Sequence, residues 1–575
     1  MTRISRRDFL AAAALTAGCS SVPELCGAER PLATVGLITD THIGNDRASC
    51  EKVRQAWELF RSLRVDLVAN LGDVADHNYP KGYEGYRATV DAVRSAVPDW
   101  KPREVYAWAW HDFYDFGGDG DRACPRWQEA IADASRRIGA THAPFASFEL
   151  GGCPFVVAPQ WGWEDGKLKA MLDDAVAGHP GKPVFLLFHV PPTDTVYNTK
   201  IWGYASLRKL LDDYPQVIQL SGHVHGSLRN ELNIWQGNFT VVNAGCLSSW
   251  GGSLIGTDPV RRPGNGAIAM EIYGDRIVFR RYDIRRGNEI CTDNPWTVPW
   301  PFDAKTAPYN PTNRARRFPA PQFAAGARLS VRSVGTPPEA FELSFPQALR
   351  EGSFEYKIEV ARREADGSWR TFKRQDIFSG FSYEDYDPEL RQPVRHVFPS
   401  VYFEEGERLR FTVTPFGFFG ACGRPLVAEA TVPVLAKTGT LVWESGDPMR
   451  ECPFRKGLAG GAGLRRDGEW YVHDAGEARL EFPEGVWKGP AKTKFRFTVD
   501  LRMRQDSGRE WTLVLRNPKP LRNANGRIAT PPGDSGLQRY VIEFEKANAN
   551  DFYYFLVREG GAGLIRFEHM RIERL

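Results

Sequence analysis

The sequence lacks a strong charge of either sign, long apolar runs beyond its first residues, and paired cysteines. Its 74 Lys and Arg residues against 71 Asp and Glu residues leave a net charge of +3, which gives no global field for nucleic acid or for a membrane surface. No later apolar run approaches the roughly 18–20 residues that a transmembrane helix needs. The 9 cysteines include no C-x-x-C pair, which argues against a zinc ribbon and a dense disulfide framework.

The sequence does have the composition of an ordinary globular protein. With 575 residues, of which 42% are hydrophobic and 25% charged, a largely disordered chain is excluded and about three or four domains are expected. Many glycines and prolines (55 and 40) accompany 17 Trp, 19 Tyr and 34 Phe residues. This mixture predicts much β-structure with many turns.

Residues 1–30 are predicted to be an export signal peptide. The paired Arg6 and Arg7 precede a short apolar stretch over 11–17, and together they resemble a twin-arginine signal. A lipoprotein-like cleavage box would leave Cys19 lipidated, and cleavage after the small residues near Gly27 and Ala28 is the alternative. The expected location is therefore the periplasm or the cell envelope, with a lipid anchor at Cys19 in the first case.

Residues 31–290 alternate between strand-like and helix-like stretches, which predicts a layered α/β domain. The strand-like runs lie at 33–38, 65–71, 105–108, 155–157, 184–188, 217–220 and 240–242. The helix-like stretches lie at about 48–63, 82–97, 125–138 and 166–177.

The pattern changes after residue 290. Residues 291–321 hold 7 prolines and are predicted to be a semi-rigid Pro-rich linker that packs over a surface. Residues 322–436 and 437–575 show short period-2 runs separated by turn residues, which predicts two all-β sandwich domains. The first looks like a fibronectin type III module, and the second is interpreted as jelly-roll-like.

Two aspartates and four histidines follow the strand-like runs of the α/β domain. They are Asp40, His42, Asp73, His189, His223 and His225. Carboxylate oxygen and imidazole nitrogen are ligands for divalent metals such as Zn, Mn or Fe. In open α/β sheets such groups meet outside the carboxyl ends of the strands. The ordered series D-x-H, G-D-x-x-D, strand-end His and G-H-x-H therefore predicts a metal centre.

This series makes residues 33–246 resemble the calcineurin-like metallophosphoesterases. The resemblance implies a β-sandwich flanked by helices, followed here by the two all-β sandwich domains. The residues that would match the ligands of a first metal are Asp40, His42, Asp73 and His225. Asp73 would bridge to a second metal, whose other ligands would match His189 and His223. The resemblance implies one or two divalent ions (Mn, Fe or Zn) and hydrolysis of a phosphate mono- or diester by a metal-bound water or hydroxide.

One tetrapeptide departs from the family pattern. Where the family usually has G-N-H-D or G-N-H-E, this chain has A-W-H-D at 109–112. His111 would match the histidine that stabilises the transition state or protonates the leaving oxygen, and Asp76 the carboxylate that orients it. Trp110 replaces the metal-binding Asn, and an indole offers no lone pair to a metal.

Two interpretations of Trp110 stay open. In the first, the second metal site is weak or empty and activity is low or lost, unless Asn70 or Asn78 supplies the missing ligand. In the second, Trp110 forms a wall against an apolar or sugar-like leaving group.

Aromatic residues are dense in the loops expected to ring the site. They are Phe113, Tyr114, Trp161, Trp163, Trp202 and Trp250. They would suit a ring-bearing substrate such as a sugar or nucleoside phosphoester, or else they pack against neighbouring segments. The last domain also has aromatic residues with two interpretations: they form a carbohydrate-binding platform, or they pack in the core. They are Trp470, Tyr471, Tyr553 and Tyr554.

The sequence thus predicts an exported metal-dependent phosphoesterase that acts on a small-molecule or sugar-like phosphoester. The alternative is a catalytically impaired relative that acts as a surface carbohydrate- or ligand-binding protein. No nucleic-acid partner is evident, and the oligomeric state is not predicted.

Overall fold

The computed structural model describes residues 29–575 apart from a set of intervals. These intervals are 45–48, 77–79, 114–115, 117–123, 251–261, 335–339, 350–351, 384–392, 400–401, 434–438, 446–453, 457–463, 468, 474–476, 481, 484, 506–510, 519–520, 531–532, 547, 549–552 and 559–562. Residues 1–28 of the predicted export signal, which include Cys19, and the residues Asn78 and Tyr114 lie outside the described residues. Within them, no helix has both the length and the apolar character of a membrane span.

The described residues from 29 to 317 contain fifteen strands and seven α-helices. The strands are β1 (Ala33–Ile38), β2 (Leu67–Asn70), β3 (Arg103–Tyr106), β4 (Ala146–Leu150), β5 (Cys153–Val157), β6 (Val184–Leu187), β7 (Val217–Ser221), β8 (Ile234–Gln236), β9 (Thr240–Asn243), β10 (Ser249–Trp250), β11 (Arg262–Pro263), β12 (Gly266–Ile272), β13 (Arg276–Asp283), β14 (Asn288–Ile290) and β15 (Trp296–Pro299). The helices are α1 (Ser49–Leu63), α2 (Pro80–Ser95), α3 (Trp127–Ile138), α4 (Lys167–Gly178), α5 (Thr199–Trp202), α6 (Ala205–Leu211) and α7 (Pro311–Arg317).

Two sheets from these strands pack face to face. One has the order β14-β13-β12-β1-β2-β3 with β15 added to β13, and the other has the order β4-β5-β6-β7-β9-β8. Side chains of both sheets, such as Leu37, Leu71 and Phe155, share one buried core between them. Because each sheet also buries its outer face under helices, its central strands are continuous apolar runs.

The helices cover the two outer faces of this sandwich. Helix α1 buries Trp57 and Phe60 in a core that it shares with α2, α3 and the outer face of the first sheet. Phe60 lies so close to β1 that a Cβ at Gly36 would stand 2.7 Å from its ring. Helices α4 and α6 cover the second sheet. The predicted β-sandwich flanked by helices is therefore confirmed.

Parallel pairing brings the ends of several strands to a common edge. Strand β2 lies between β1 and β3 and is parallel to both, and β5, β6, β7 and β9 are also parallel neighbours. The predicted site residues follow the carboxyl ends of β1, β2, β3, β6 and β7 within a few residues. The topology therefore gathers them at the edge where α/β sheets form their sites.

The Pro-rich stretch contains two regular elements. Strand β15 pairs only with β13, so Pro299 lies in an edge strand, where a missing N–H is tolerated. Helix α7 has Pro311 in its first turn, where a missing N–H costs nothing, and Asn310 caps it by accepting from the Thr312 N–H. The domain limits drawn from the sequence stay predictions.

A buried ion-pair network joins the Pro-rich stretch to the loop after His225. The Glu231 carboxylate accepts from the Arg281 guanidinium at 2.9 Å and pairs with Arg314. Arg281 also donates to the Leu228 carbonyl at 3.0 Å. Burial alone would raise the pKa of Glu231, but the two guanidinium groups hold it below its ordinary value. The network fixes the segment that follows the G-H-x-H motif.

Replacing Glu231 by alanine should destabilise the α/β domain by about 3–5 kcal/mol, because it leaves two buried guanidinium groups without their carboxylate. Calorimetric unfolding should show the loss as a lower melting temperature. The matched control is Glu51→Ala, whose carboxylate pairs with Arg54 on the exposed surface and should leave the transition unchanged. Equal melting temperatures for Glu231→Ala and Glu51→Ala would contradict a stabilising role for the network.

A β-sandwich follows the α/β domain. Its strands are β16 (Ser330–Val334), β17 (Ala340–Phe345), β18 (Ser353–Arg363), β19 (Trp369–Phe378), β20 (Val394–Pro399), β21 (Arg408–Gly417) and β22 (Leu426–Thr431). They form a sheet of order β16-β17-β20 and a sheet of order β19-β18-β21-β22. Inward side chains of both sheets, such as Leu343, Ile358 and Phe411, share one core.

The remaining strands build a second sandwich, which confirms the predicted succession of two all-β sandwiches. They are β23 (Thr440–Ser445), β24 (Phe454–Lys456), β25 (Leu464–Asp467), β26 (Trp470–His473), β27 (Glu477–Leu480), β28 (Lys494–Gln505), β29 (Trp511–Pro518), β30 (Leu521–Thr530), β31 (Gly533–Glu545), β32 (Tyr554–Arg558) and β33 (Gly563–Arg574). One sheet has the order β25-β26-β33-β28-β31 with β23 added to β33, and the other has the order β24-β27-β32-β29-β30.

The aromatic residues weighed as a carbohydrate platform do not share one surface. Tyr471 and Tyr553 are buried in the core of the second sandwich. Trp470 is half-buried beneath the Arg504 guanidinium, whose carbon lies 5.4 Å from the ring centre. The side chain of Tyr554 lies outside the described residues. For Tyr471 and Tyr553 the core interpretation therefore applies.

Candidate metal centre

The six predicted ligands converge in the structure. The His225 Nε2 atom lies 2.9 Å from Asp40 Oδ1 and 3.2 Å from His42 Nε2. On the other side, His189 Nε2 lies 3.2 Å from Asp73 Oδ2. Ligand atoms within 4.8 Å of one another form three groups: Asp40 with His42 and His225, Asp73 with His189 and His223, and Asp73 with His42 and His111. The group with His111 shares His42 with the first group and Asp73 with the second, so all three groups are neighbours.

The donor atoms fit divalent cations. Asp40 Oδ1 and His189 Nε2 are buried and make no hydrogen bond of acceptable geometry among the described residues. Buried polar atoms are almost always satisfied. The Nε2 atoms of His42 and His225 lie 3.2 Å apart, beside the carboxylates. Zn, Mn and Fe accept such nitrogen and oxygen ligands. A cation in each of the first two groups would satisfy these atoms.

The backbone at the ligands is strained. Five of the six predicted ligands have positive φ angles, namely Asp40 (50°), His42 (41°), Asp73 (51°), His223 (74°) and His225 (47°). Each such non-glycine conformation costs on the order of 1–3 kcal/mol and persists only where surrounding structure enforces it. This strain, concentrated in the ligand loops, points to a site held for function.

Asp40 is held from both sides. Its Oδ2 atom accepts from the Thr39 hydroxyl at 2.7 Å and from the His223 N–H at 2.9 Å, which leaves Oδ1 facing His225. A Cβ at Gly222 would collide with the Thr39 hydroxyl and stand 2.5 Å from Asp40 Oδ2. Glycine is thus required where the histidine loop crosses the aspartate. The sequence motif contained Gly222, but its contact with Thr39 depends on the fold.

His189 is oriented by the β2 loop. Its Nδ1–H donates to the Leu71 carbonyl at 2.8 Å, which fixes the tautomer and leaves Nε2 as the ligand atom. The side chain is completely buried. His223 lies beside it, with ring centroids 5.2 Å apart. These contacts aim His189 and His223 toward Asp73.

His111 and Asp76 form the predicted pair. His111 Nδ1 lies 2.7 Å from Asp76 Oδ1, so this ring nitrogen donates to the carboxylate. The His111 N–H donates to Asp73 Oδ1 at 3.0 Å, which ties the loop to the shared aspartate. Asp76 Oδ1 also lies 3.4 Å from His42 Nδ1. The pair therefore touches the proposed ligands directly.

Asp112 has a role that the sequence argument did not assign. Its Oδ1 atom accepts from the Val74 N–H at 3.1 Å and from the Tyr83 hydroxyl at 2.9 Å, and its Oδ2 accepts from the Ala109 N–H at 3.2 Å. Burial, and secondly Asp73, raise its pKa to about 6. Asp112 thus locks the Asp73 loop to the His111 loop. Its place in the A-W-H-D tetrapeptide was the only available signal.

Opposite charges dominate the titration of the metal-free site. Burial alone would lower the pKa of His42, but Asp40 and Asp76 raise it to about 10. In the same way Asp73 and Asp40 outweigh burial and raise the pKa of His189 to about 9. Burial, with His189, lowers the pKa of His223 to about 3. The metal-free protein therefore holds protons on His42 and His189 at neutral pH.

Metal binding should therefore release about two protons per protein at pH 7.5, because a ligating imidazole must be neutral. Apparent affinity should rise with pH, since the protons that compete with the metal are removed. Titration calorimetry in two buffers of different ionisation enthalpy measures the released protons. Heats that do not depend on the buffer would contradict the protonated metal-free state.

Trp110 stands where the family pattern has a metal-binding amide. Its backbone N–H donates to Gln160 Oε1 at 2.8 Å, and its ring packs partly buried against the helix-side core. Asn70 does not replace the missing ligand, because its Oδ1 accepts from the Gly72 N–H at 3.2 Å and its side chain reaches Tyr86. Asn78 lies outside the described residues. Among described side chains, the second group therefore has three ligands.

The loop aromatics occupy different positions. Phe113, Trp161 and Trp163 are buried in the layers under the helices, so for them packing is the correct interpretation. Trp202 lies edge to face against His223, with ring centroids 5.8 Å apart. The side chain of Trp250, like Tyr114, lies outside the described residues. A rim of six aromatics is not formed by the described side chains.

Comparison with known proteins gives a family for this part of the chain. Residues 33–227 match the family model of calcineurin-like phosphoesterases, which confirms the resemblance inferred from the motifs. No curated protein matches the chain.

Solved structures include distant likenesses. A dimetal phosphatase from Danio rerio is 15% identical and has a TM-score of 0.33, with 47% of this chain and 99% of that chain covered. A purple acid phosphatase from yellow lupin (Lupinus luteus) seeds is 14% identical, with a TM-score of 0.34 and coverage of 46% and 53%. A Vps29 variant from Entamoeba histolytica is 11% identical, with a TM-score of 0.22 and coverage of 47% and 99%. Likeness at this level carries no information on substrate.

Proposed function

Because residues 33–227 form a calcineurin-like phosphoesterase domain, we propose that this chain is a metal-dependent hydrolase of phosphate mono- or diesters. The observation that carries the proposal is that two ligand groups lie side by side, joined by the proximity of Asp73 to His42, next to a His–Asp pair that binding alone would not require.

The residues divide into two ligand sets and a proton-handling pair. The first set is Asp40, His42, His225 and Asp73, and the second set is Asp73, His189 and His223. These residues would hold divalent ions, which would neutralise phosphoryl oxygens and lower the pKa of water, the chemistry that phosphoester hydrolysis needs. His111, oriented by Asp76 at 2.7 Å, donates its second ring proton to the leaving oxygen or to a charged phosphoryl oxygen.

The two ion sites differ in strength. The first set offers four side chains and the second three, because Trp110 provides no lone pair. One ion is therefore bound tightly and the other weakly, and activity should rise with added Mn²⁺ as mass action fills the weak site. Elemental analysis of the purified protein, combined with hydrolysis of an aryl phosphodiester during Mn²⁺ titration, tests the proposal. Absence of hydrolysis at every metal concentration would overturn it.

We further propose that the protein is exported by the twin-arginine route to the periplasm or cell envelope. That route carries folded proteins, which suits a chain that loads metal before export. The support is the Arg6–Arg7 pair ahead of the apolar stretch.

Changing both Arg6 and Arg7 to lysine should leave the precursor inside the cell, because the export receptor reads the arginine pair rather than charge. Cell fractionation with immunoblotting measures the distribution. Arg3→Lys makes the same chemical change outside the pair and should export normally. Wild-type export of the double variant would remove the twin-arginine proposal.

We also propose that the first sandwich is a fibronectin type III-like module and the second a jelly-roll-like one. The division of seven strands into sheets of three and four, with β17 between β16 and β20, supports the first assignment. The two long five-strand paths of the last sandwich support the second.

A further inference from the structure

Two indoles border the histidines of the metal centre. Trp202 meets His223 edge to face at 5.8 Å between ring centroids, and Trp110 meets His111 at 5.0 Å with the rings tilted by 55°. Both residues are half-buried, so each keeps part of its surface accessible. The two indoles border different parts of the centre. Trp202 contacts His223, which belongs to the group of His189. Trp110 contacts His111, whose ring lies 4.3 Å from that of His42.

A single glutamine ties the segments that carry the two indoles. Gln160 accepts from the Trp110 N–H at 2.8 Å, and its amide N–H donates to the Tyr204 hydroxyl at 2.7 Å. Tyr204 is two residues beyond Trp202 and donates its own N–H to the Pro191 carbonyl at 3.0 Å. The two indole-bearing segments are therefore held in a fixed relation.

The first β-sandwich supports the loop that leads into helix α5, whose last residue is Trp202. The Tyr197 ring meets Phe354 at 5.8 Å, almost perpendicular to it, and meets Phe378 at 6.2 Å. The Tyr197 N–H donates to the Leu232 carbonyl at 3.0 Å. Five residues before Trp202, the loop is thus clamped between the phosphoesterase domain and the sandwich. A wall preorganised in this way loses little entropy when a ligand packs on it.

We propose that Trp202 and Trp110 form apolar walls that select a phosphoester whose leaving group carries a ring, an inference that rests on the phosphoesterase function proposed above. Indole faces and edges stack on flat rings and on the C–H faces of sugar rings. Where the family pattern has an Asn that binds metal, Trp110 offers a ring surface for stacking instead. The site therefore favours ring-bearing esters over small alkyl esters.

The test compares esters with similar alkoxide leaving groups, so that intrinsic reactivity is matched. Benzyl, cyclohexylmethyl and n-propyl phosphates, each as monoester and symmetric diester, are hydrolysed with saturating Mn²⁺. In the wild type kcat/KM for the benzyl ester should exceed that for the propyl ester by about tenfold or more, the scale of one stacking contact. The cyclohexylmethyl ester separates a general ring preference from a preference for flat rings.

Trp202→Ala and Trp110→Ala should each lower the benzyl-to-propyl ratio toward one. Trp202→Leu keeps an apolar side chain and takes the place of the alanine variant should that fail to fold. The matched control is Trp369→Ala, a half-buried indole on the first sandwich beneath the Arg410 guanidinium at 4.1 Å, which should leave the ratio unchanged. Calorimetric Kd values for benzylphosphonate and propylphosphonate should show the same ratio without turnover.

The outcomes separate the two proposals. Hydrolysis of all esters with a ratio near one, or a ratio that survives both tryptophan substitutions, overturns the indole walls and leaves the phosphoesterase function standing. Absence of hydrolysis together with absence of phosphonate binding overturns both.

Discussion

Asp73→Asn should remove metal from both proposed sites and lower phosphoesterase activity by at least about 10³-fold, the scale of losing a principal source of transition-state charge stabilisation. Asp73 belongs to the group of His189 and His223 and also forms a group with His42, which belongs to the Asp40 group. Its Oδ2 atom lies 3.2 Å from His189 Nε2 and 3.7 Å from His42 Nε2. An amide carries no charge, so neither cation keeps its shared anion.

The substitution should leave the fold intact. Asp73 has a φ of 51°, and Asn is among the non-glycine residues that best tolerate this conformation. An Asn carbonyl oxygen can also keep the bond from the His111 N–H, which now spans 3.0 Å. Activity loss would therefore report on metal and charge rather than on unfolding.

Three companion variants locate the effect. His42→Ala should empty the first site and spare the second, and His189→Ala should do the reverse. Asp99→Asn makes the same chemical change on an exposed carboxylate paired with Arg64 and should change nothing. Elemental analysis and hydrolysis measure all four proteins. Unchanged metal content in Asp73→Asn would show that the shared position is wrongly assigned.

Much of this centre could be predicted because its ligand residues follow the ends of buried strands. Asp40 follows β1 by two residues and His189 follows β6 by two. A strand buried on both faces is a plain apolar run, so the first polar residues after it are easy to find. Parallel pairing then does the rest, since it places all such ends at one edge.

The contacts between distant segments could not be predicted. Asp40 and His223 are bonded across 183 residues, and no local pattern encodes that distance. The same limit applies to the aromatics. Trp161 and Trp202 both follow strand-end loops, yet the first is buried in the core under the helices and the second lies on His223. The periodicity of apolar residues predicts the buried face of a helix or strand. It does not predict which loop packs over which part of the fold.

Trp110→Asn should tighten binding of the second ion by at least about tenfold, the scale that even outer-shell changes have on metal affinity. The backbone at position 110 is fixed, because its N–H is held by Gln160 and the next N–H by Asp73. A short amide side chain therefore starts beside the shared aspartate, where the second ion needs a fourth ligand. Activity on a generic aryl diester should rise, and its dependence on added Mn²⁺ should fall.

Trp110→Leu is the matched control, because it removes the indole without adding a lone pair. Both variants lose indole packing against the helix-side core, a cost of up to about 3 kcal/mol for a half-buried ring, so thermal melts should shift alike. Metal content after dialysis should rise only with asparagine. Two tightly bound ions in the wild type would show that Trp110 does not weaken the second site.

The same variant tests the function itself. Trp110→Asn should gain activity on generic esters while losing preference for ring-bearing ones, because one side chain cannot supply both an indole face and an amide oxygen. The opposite signs of these two changes distinguish a trade between metal and substrate contact from simple damage. A folded Trp110→Asn protein that holds two ions yet hydrolyses nothing would overturn the enzyme proposal. That result would favour the catalytically impaired surface-binding protein. It would show that the missing metal ligand is not the reason for the lack of activity.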